Sequence, residues 1–163
     1  MSDDANAPAS TAVPPMLDKH LCFTLYAASR ALTGAYRPLL DPLGLTYPQY
    51  LLLVALGEHH TVSVKDLVAR LQLDYGTVTP LIKRLEANGL LKRERRADDE
   101  RVVQVALTEE GLAVYQRLSS VPPAIGEAVG LTHDEIATLQ TLVRRLTTNV
   151  SRHNAAATGQ RTA

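Results

Sequence analysis

The sequence predicts a mainly α-helical domain carrying a small β-hairpin. Three observations lead there. Apolar residues recur at three- and four-residue steps along both ends of the chain, the period of a helix with one buried face. Two short helical segments between Ser63 and Gly89 are joined by a tight turn. Two strand-like runs linked by a polar loop follow at once.

The 163 residues, at roughly 100–200 per domain, suggest a single domain. An apolar share of 45% supplies a core and excludes a wholly disordered chain. Lys+Arg and Asp+Glu both number 17, so the formal net charge is zero. That excludes a nucleic-acid binder driven by a large basic excess, but leaves room for a local basic patch. The longest unbroken apolar run, Tyr50 to Leu56, is far short of the ~20 residues of a membrane helix. No basic–apolar–small pattern opens the sequence, so no secretory signal is expected. The one cysteine, Cys22, permits no internal disulfide and fits a reducing, cytoplasmic setting without a membrane.

Residues 1–16, rich in Ala, Pro, Ser and Asp, read as a disordered lead. The helical period then begins, with Leu17, Leu21, Leu25, Ala28, Leu32, Ala35 and Leu39 on one face up to about Leu40. Pro38 should bend or end this helix, and Asp41-Pro42-Leu43-Gly44 reads as a turn. Thr46 and Gln49 have capping-box spacing and open an apolar helix that ends near Gly57. Ser63 caps a helix from Val64 to Leu71, and Asp74 caps another from Tyr75 to Ala87, closed by Asn88-Gly89. Pro80 falls in the first turn of that helix or just past it, where it costs least.

Leu90–Arg95 and Val102–Leu107 read as the strands of a hairpin around the polar loop 96–101. A helix starts at Thr108-Glu109-Glu110-Gly111 and ends before Pro122-Pro123. Thr132 and Glu135 form a second capping box, opening a helix with Ile136, Leu139, Leu142, Val143 and Leu146 on one face. Residues 152–163 read as a frayed tail. A hairpin directly after a helix-turn-helix makes a winged helix. Segments 17–45 and 109–151 carry more apolar positions than one small domain buries and are expected to dimerise it. Segment 46–108 is left as the DNA-binding part of a domain spanning 17–151.

Charge supports that division. Between Thr77 and Arg96 stand six basic residues (Lys83, Arg84, Lys92, Arg93, Arg95, Arg96) and two acidic ones (Glu86, Glu94), a local +4 in a neutral chain. Small polar residues at the helix start, Gly76, Thr77 and Thr79, allow close approach to phosphates and base edges. Arg101 at the hairpin tip is placed to enter a minor groove. A basic helix face alone is ordinarily just solvated. Its coincidence with helix-turn-helix order and a hairpin favours duplex DNA.

Leu81-Ile-Lys-Arg-Leu-Glu-Ala-Asn-Gly-Leu-Leu, Asp98-Asp-Glu-Arg101 and Leu107-Thr-Glu-Glu-Gly111 together resemble the MarR family of bacterial winged-helix regulators. The resemblance covers roughly residues 17 to 151. It implies a homodimer, held by its N- and C-terminal helices, on a pseudo-palindromic operator. The segments Leu21-Cys-Phe-Thr-Leu-Tyr26, Tyr36-Arg-Pro-Leu-Leu40 and Leu45-Thr-Tyr-Pro-Gln-Tyr50 resemble the branch of organic hydroperoxide resistance regulators. That match implies that Cys22 senses peroxide, with Tyr36 and Tyr47 hydrogen-bonding it from the partner subunit and Tyr26 as a third supporting phenol. It places Asp74, Tyr75, Gly76, Thr77, Thr79, Arg84, Arg93 and Arg101 at positions used for DNA. Pro80, Lys83 and Arg95 complete the candidate set, and Asp99 of the Asp-x-Arg loop supports the wing. No second, resolving cysteine stands in the C-terminal half, so the chain resembles the one-cysteine subtype.

Five of the seven aromatic residues (Phe23, Tyr26, Tyr36, Tyr47, Tyr50) fall within 28 consecutive positions, directly after Cys22. A thiolate, not a thiol, attacks a peroxide. Tyrosine hydroxyls donating to sulfur would favour that charged form, and their rings would suit an alkyl or lipid hydroperoxide better than hydrogen peroxide. Lys19 stands three residues back; His20 and Arg30 should face elsewhere on a regular helix. A lone cysteine on an apolar helix face is ordinarily an inert core thiol. It is the resemblance that tips the reading to a sensor. His20 and Cys22 point about 200° apart on a helix and cannot share an ion. His59-His60 reads as surface, and neither pair has a zinc spacing. No metal, cofactor or catalytic residue is expected.

The leading expectation is a repressor that releases its operator when Cys22 is oxidised, with a small cellular thiol as a further partner of the oxidised sulfur. One alternative is release by a small aromatic ligand, with Cys22 incidental. Another is a thiol peroxidase, against which the missing resolving cysteine and the DNA-binding order both stand.

Overall fold

The computed structural model describes residues 16–59, 61–96, 98–99 and 101–159. The expected disordered lead, apart from Met16, lies outside them, as does His60. Two compact units divide the chain, one ending at Gln116 and one starting at Arg117.

In the first unit a short 3-10 turn, Leu17–Lys19, precedes α1 (Leu21–Leu40). Pro38 lies inside the last turn of α1 and does not end it. Termination comes two residues later, through a 3-10 turn at Asp41–Leu43 and Gly44 in the left-handed region at φ 64°. Helix α2 (Tyr47–Gly57) follows the predicted box. The Gln49 side-chain oxygen accepts the Thr46 backbone N–H at 2.8 Å, satisfying one of the donors a helix start leaves over. Almost every residue of α2 is apolar, and Leu52, Leu53 and Leu56 are fully buried.

Three elements then arrange the helix-turn-helix. Strand β1 (Thr61–Ser63) leads into α3 (Val64–Leu71), where the first-turn amide of Asp66 donates to Ser63 Oγ at 3.1 Å. Gln72, in the left-handed region at φ 53°, turns the chain out of α3. Asp74 then caps α4 (Tyr75–Ala87), its carboxylate accepting Thr77 N–H at 2.7 Å. Pro80 sits just past the first turn. Gly89 at φ 74° closes α4, and Leu90 N–H reaches back to the Leu85 carbonyl at 2.9 Å.

The hairpin forms as predicted, β2 (Leu91–Arg95) against β3 (Val103–Leu107), with Leu91 opposite Leu107 and Arg95 opposite Val103. It is not alone. Strand β1 pairs antiparallel with β3 through Val62 and Val105, making a three-stranded sheet in the order β1-β3-β2. Three residues are too few to show a period of two, so β1 left no mark in the sequence pattern.

Helix α5 (Glu109–Arg117) begins at a joint that explains the Leu-Thr-Glu-Glu-Gly motif. Thr108 N–H donates to the Leu90 carbonyl at 3.1 Å, and its hydroxyl donates to the Gly89 carbonyl at 2.5 Å. The same hydroxyl oxygen accepts Gly111 N–H at 3.0 Å. A Cβ on Gly111 would run into the Leu90 carbonyl oxygen. The start of α5 is thereby latched to the turn that ends α4.

In the second unit, a 3-10 turn (Leu118–Ser120) leads to α6 (Val121–Val129) and α7 (His133–Gly159). Helix α5 already ends at Arg117, short of Pro122 and Pro123, which stand instead in the first turn of α6, where missing amides cost little. The Thr132–Glu135 box caps α7 as expected, with Thr132 N–H on Glu135 Oε2 at 2.8 Å. That capping hydrogen bond holds the Glu135 carboxyl below its ordinary range. Helix α7 continues through 152–159, where composition suggested fraying; Ala155 to Ala157 are strong helix formers and carry it. No single helix among the described residues is long and apolar enough to cross a membrane.

Replacing Gly111 by Ala should destabilise the protein by about 1–3 kcal/mol, the usual cost of overpacking, because the obstacle is backbone. The measurement is the urea midpoint, which should fall with its slope unchanged.

Candidate nucleic-acid interface and tyrosine cluster

Helix α4 and the sheet meet at a cleft of about 1010 Å³, open to solvent. From the predicted set, Tyr75, Thr79, Arg93 and Arg101 line it. Gly76, Thr77, Pro80, Lys83 and Arg84 are exposed along the outer face of α4, and Arg95 is exposed on β2. The buried side of α4 is Val78, Ile82 and Leu85, so the three-four period of the sequence fixes which side is left for a partner. Asp74 is engaged as the helix cap, and its part is to hold the start of α4.

Arg93 is also engaged. Its Nη2 lies 2.6 Å and its Nε 2.8 Å from Glu86 Oε2. The guanidinium hydrogen bond holds the Glu86 carboxyl below its usual range. This pair ties β2 to the last turns of α4, so Arg93 first sets the angle between helix and wing. Arg96 pairs with Asp98 in the wing loop, and Lys92 with Glu94 at 2.9 Å. Among the described residues, Lys83, Arg84, Arg95 and Arg101 make no ion pair.

The Asp99 carboxylate accepts the Arg101 backbone N–H at 3.0 Å, and the Asp99 carbonyl accepts Val102 N–H at 3.0 Å. Asp99 therefore shapes the tip that presents Arg101, which gives the Asp-x-Arg motif its physical sense. Lys65, Arg70 and Arg96 also line the cleft and stand outside the predicted set. Lys65 and Arg70 lie on α3, across the turn from α4. Only the fold brings them to the same mouth.

The aromatic residues fall into two groups. Cys22 is exposed in the first turn of α1. Tyr26 stands one turn on, on the same face. Contrary to expectation, Arg30 joins that face, donating from Nη1 to the Tyr26 hydroxyl at 3.0 Å. Tyr36 is fourteen residues from Cys22 on the same helix, about 21 Å along its axis. Its ring packs instead on Tyr47, with centroids 4.7 Å apart, and on Tyr50 at 5.3 Å. Burial, then the neighbouring phenols, push the Tyr36 and Tyr50 hydroxyls above their ordinary pKa, keeping both protonated as donors. Tyr36 and Tyr47 border a recess of about 360 Å³ together with Leu40 and Leu45. No thiol of the same chain approaches it. His59 pairs with Glu58 at 3.8 Å.

The MarR family model matches residues 45–103. An organic hydroperoxide resistance transcriptional regulator of Bacillus subtilis is 49% identical over 109 residues, which are 67% of this chain and 74% of that one. The solved structure of reduced AbfR bound to DNA is similar with a TM-score of 0.67 and 33% identity, over 80% of this chain and 91% of that one. PcaV of Streptomyces coelicolor, solved with its natural ligand, gives a TM-score of 0.76 at 27% identity, over 83% and 97% of the two chains. Helix-turn-helix, three-stranded sheet, wing and this level of identity agree: the chain belongs to the MarR family of transcriptional regulators.

Proposed function

We propose that the protein is a cytoplasmic repressor that binds an inverted-repeat operator as a homodimer and leaves it when an organic hydroperoxide oxidises Cys22. One observation carries the redox part. An exposed thiol stands at the start of α1, and Tyr36, near the other end of α1, packs on Tyr47 of α2, too far from that thiol to meet it within a chain. A second copy of α1 crossing the first antiparallel near Ser29 would bring Cys22 of one protomer to Tyr36 and Tyr47 of the other. Leu21, Phe23 and Leu32 on α1, and Leu139, Leu142 and Val150 on α7, are apolar and exposed in the single chain, surface that such a dimer would cover. The similarity to the Bacillus regulator supports the same reading.

In this reading the thiolate attacks one peroxide oxygen and the O–O bond breaks. Sulfur becomes a sulfenic acid, and the alkoxide takes a proton and leaves as alcohol. With no second cysteine, the sulfenic acid condenses with a small cellular thiol, losing water to give a mixed disulfide, or meets more peroxide and becomes sulfinic acid. Either product is larger or more charged than the thiol the pocket holds, and should displace Tyr36 and Tyr47. Coupling of ~1–3 kcal/mol, roughly 5–150-fold in operator affinity, is typical of such switches.

A second reading is release by a small aromatic molecule with Cys22 incidental; that PcaV is solved with a natural ligand supports ligand control in place of oxidation. Cys22→Ser decides between them. It should remain on the operator in a gel shift with an organic hydroperoxide, whereas wild-type protein dissociates with Cys22 modified by mass spectrometry. Release of the Ser variant, or of wild type with its thiol intact, selects the ligand reading. Tyr36→Phe and Tyr47→Phe keep the rings and should bind DNA normally while Cys22 oxidises more slowly.

Arg101→Ala should weaken operator binding while changing stability by only ~0.5 kcal/mol, as surface changes usually do. Fluorescence anisotropy beside thermal melting separates the two effects. Removing Lys83 or Arg84 should flatten the salt dependence of binding by about one unit of slope if each meets one phosphate.

A further inference from the structure

Tyr50 has no part in the chemistry above, yet it is the most deeply placed ring of the cluster, only 7% exposed. Its centroid is 5.3 Å from that of Tyr36 and 6.1 Å from that of Tyr47, the latter nearly parallel at 26°. Neither of those two rings can tilt inward without meeting it. Its hydroxyl also feels the phenol of Tyr115, on α5.

Tyr115 makes its own close approach to α2. Seven residues along α2 from Tyr50, on the same face, is Gly57. The phenol end of Tyr115 lies so near it that any Cβ there would overlap the ring. Helix α5 begins at the Thr108–Gly111 latch, whose hydrogen bonds end on Gly89 and Leu90, the residues that close α4. A continuous packed path therefore runs from the Tyr36–Tyr47 pair through Tyr50 and the face of α2 to Tyr115, then along α5 to the base of the DNA-facing helix.

We propose that Tyr50 and Tyr115 are positioning residues that carry the state of the Tyr36–Tyr47 pair into α5 and so to α4. The proposal rests on the redox reading above. Packed interiors respond to a displaced ring by discrete repacking, not by smooth deformation. Tyr50 is buried beside both rings and rooted in α2, so a shift of Tyr36 or Tyr47 is passed to that helix. Tyr115 has no side chain beneath it at Gly57 to absorb the motion.

The test is Tyr115→Leu in the full chain, with three readouts. Operator affinity of the reduced protein and the rate of Cys22 oxidation by cumene hydroperoxide should both match wild type. The loss of affinity on oxidation, typically 5–150-fold in such switches, should shrink to less than about a third of the wild-type factor. Tyr115→Phe keeps the ring and should restore the full response, which a general loss of stability would not predict. Where Tyr115→Leu melts too low to assay, Tyr115→Met refills the space with a flexible chain and takes its place. Release equal to wild type in the Leu or Met variant overturns the relay. A Cys22→Ser control that also releases DNA shows instead that the redox reading has failed, and the relay falls with it.

Discussion

Burial of α2 is the constraint on which the first unit depends. Leu52, Leu53 and Leu56 are fully buried, each worth roughly 1.5–3 kcal/mol relative to exposure. The helix packs on α3, α4 and β3 and also contacts α1. An apolar rod held from so many sides has little freedom to tilt alone. It carries Tyr47 and Tyr50 at one end and Gly57 at the other, so the tyrosine cluster and the seat of Tyr115 are two ends of one rigid part.

Polar contacts then set what apolar packing leaves loose. The wing is fixed to α4 by the Glu86–Arg93 pair, and α5 to the turn after α4 by Thr108. Both are partly exposed contacts of modest net worth. Their importance is geometric, since hydrophobic burial has no direction and a hydrogen bond does. The angle between α4 and the wing is decided by a few named atoms.

The zero net charge hides an uneven distribution. In the basic segment and the hairpin tip, acidic partners engage Lys92, Arg93 and Arg96, while Lys83, Arg84, Arg95 and Arg101 make no ion pair among the described residues. A charge count along the sequence treats these seven alike. Pairing sorts them into cations that shape the protein and cations that can meet phosphate.

Much of the architecture was legible in the chain alone, because the signals are local. Capping residues Thr46, Ser63, Asp74 and Thr132 act within three residues of themselves, and the helical period needs only a face to bury. The α4 surface and the Asp99–Arg101 tip were readable for the same reason. Strand β1, helix α6 and the extension of α7 were not: three residues show no period, and proline at a helix start looks like proline at a helix end. The site depended most on tertiary structure. Proximity in sequence suggested that the tyrosines gather round Cys22, but a straight helix keeps residues 22 and 36 about 21 Å apart however many aromatic neighbours lie between them. Tyr36 meets Tyr47 and Tyr50 only because α1 and α2 pack, and packing is a long-range outcome that no window of sequence contains.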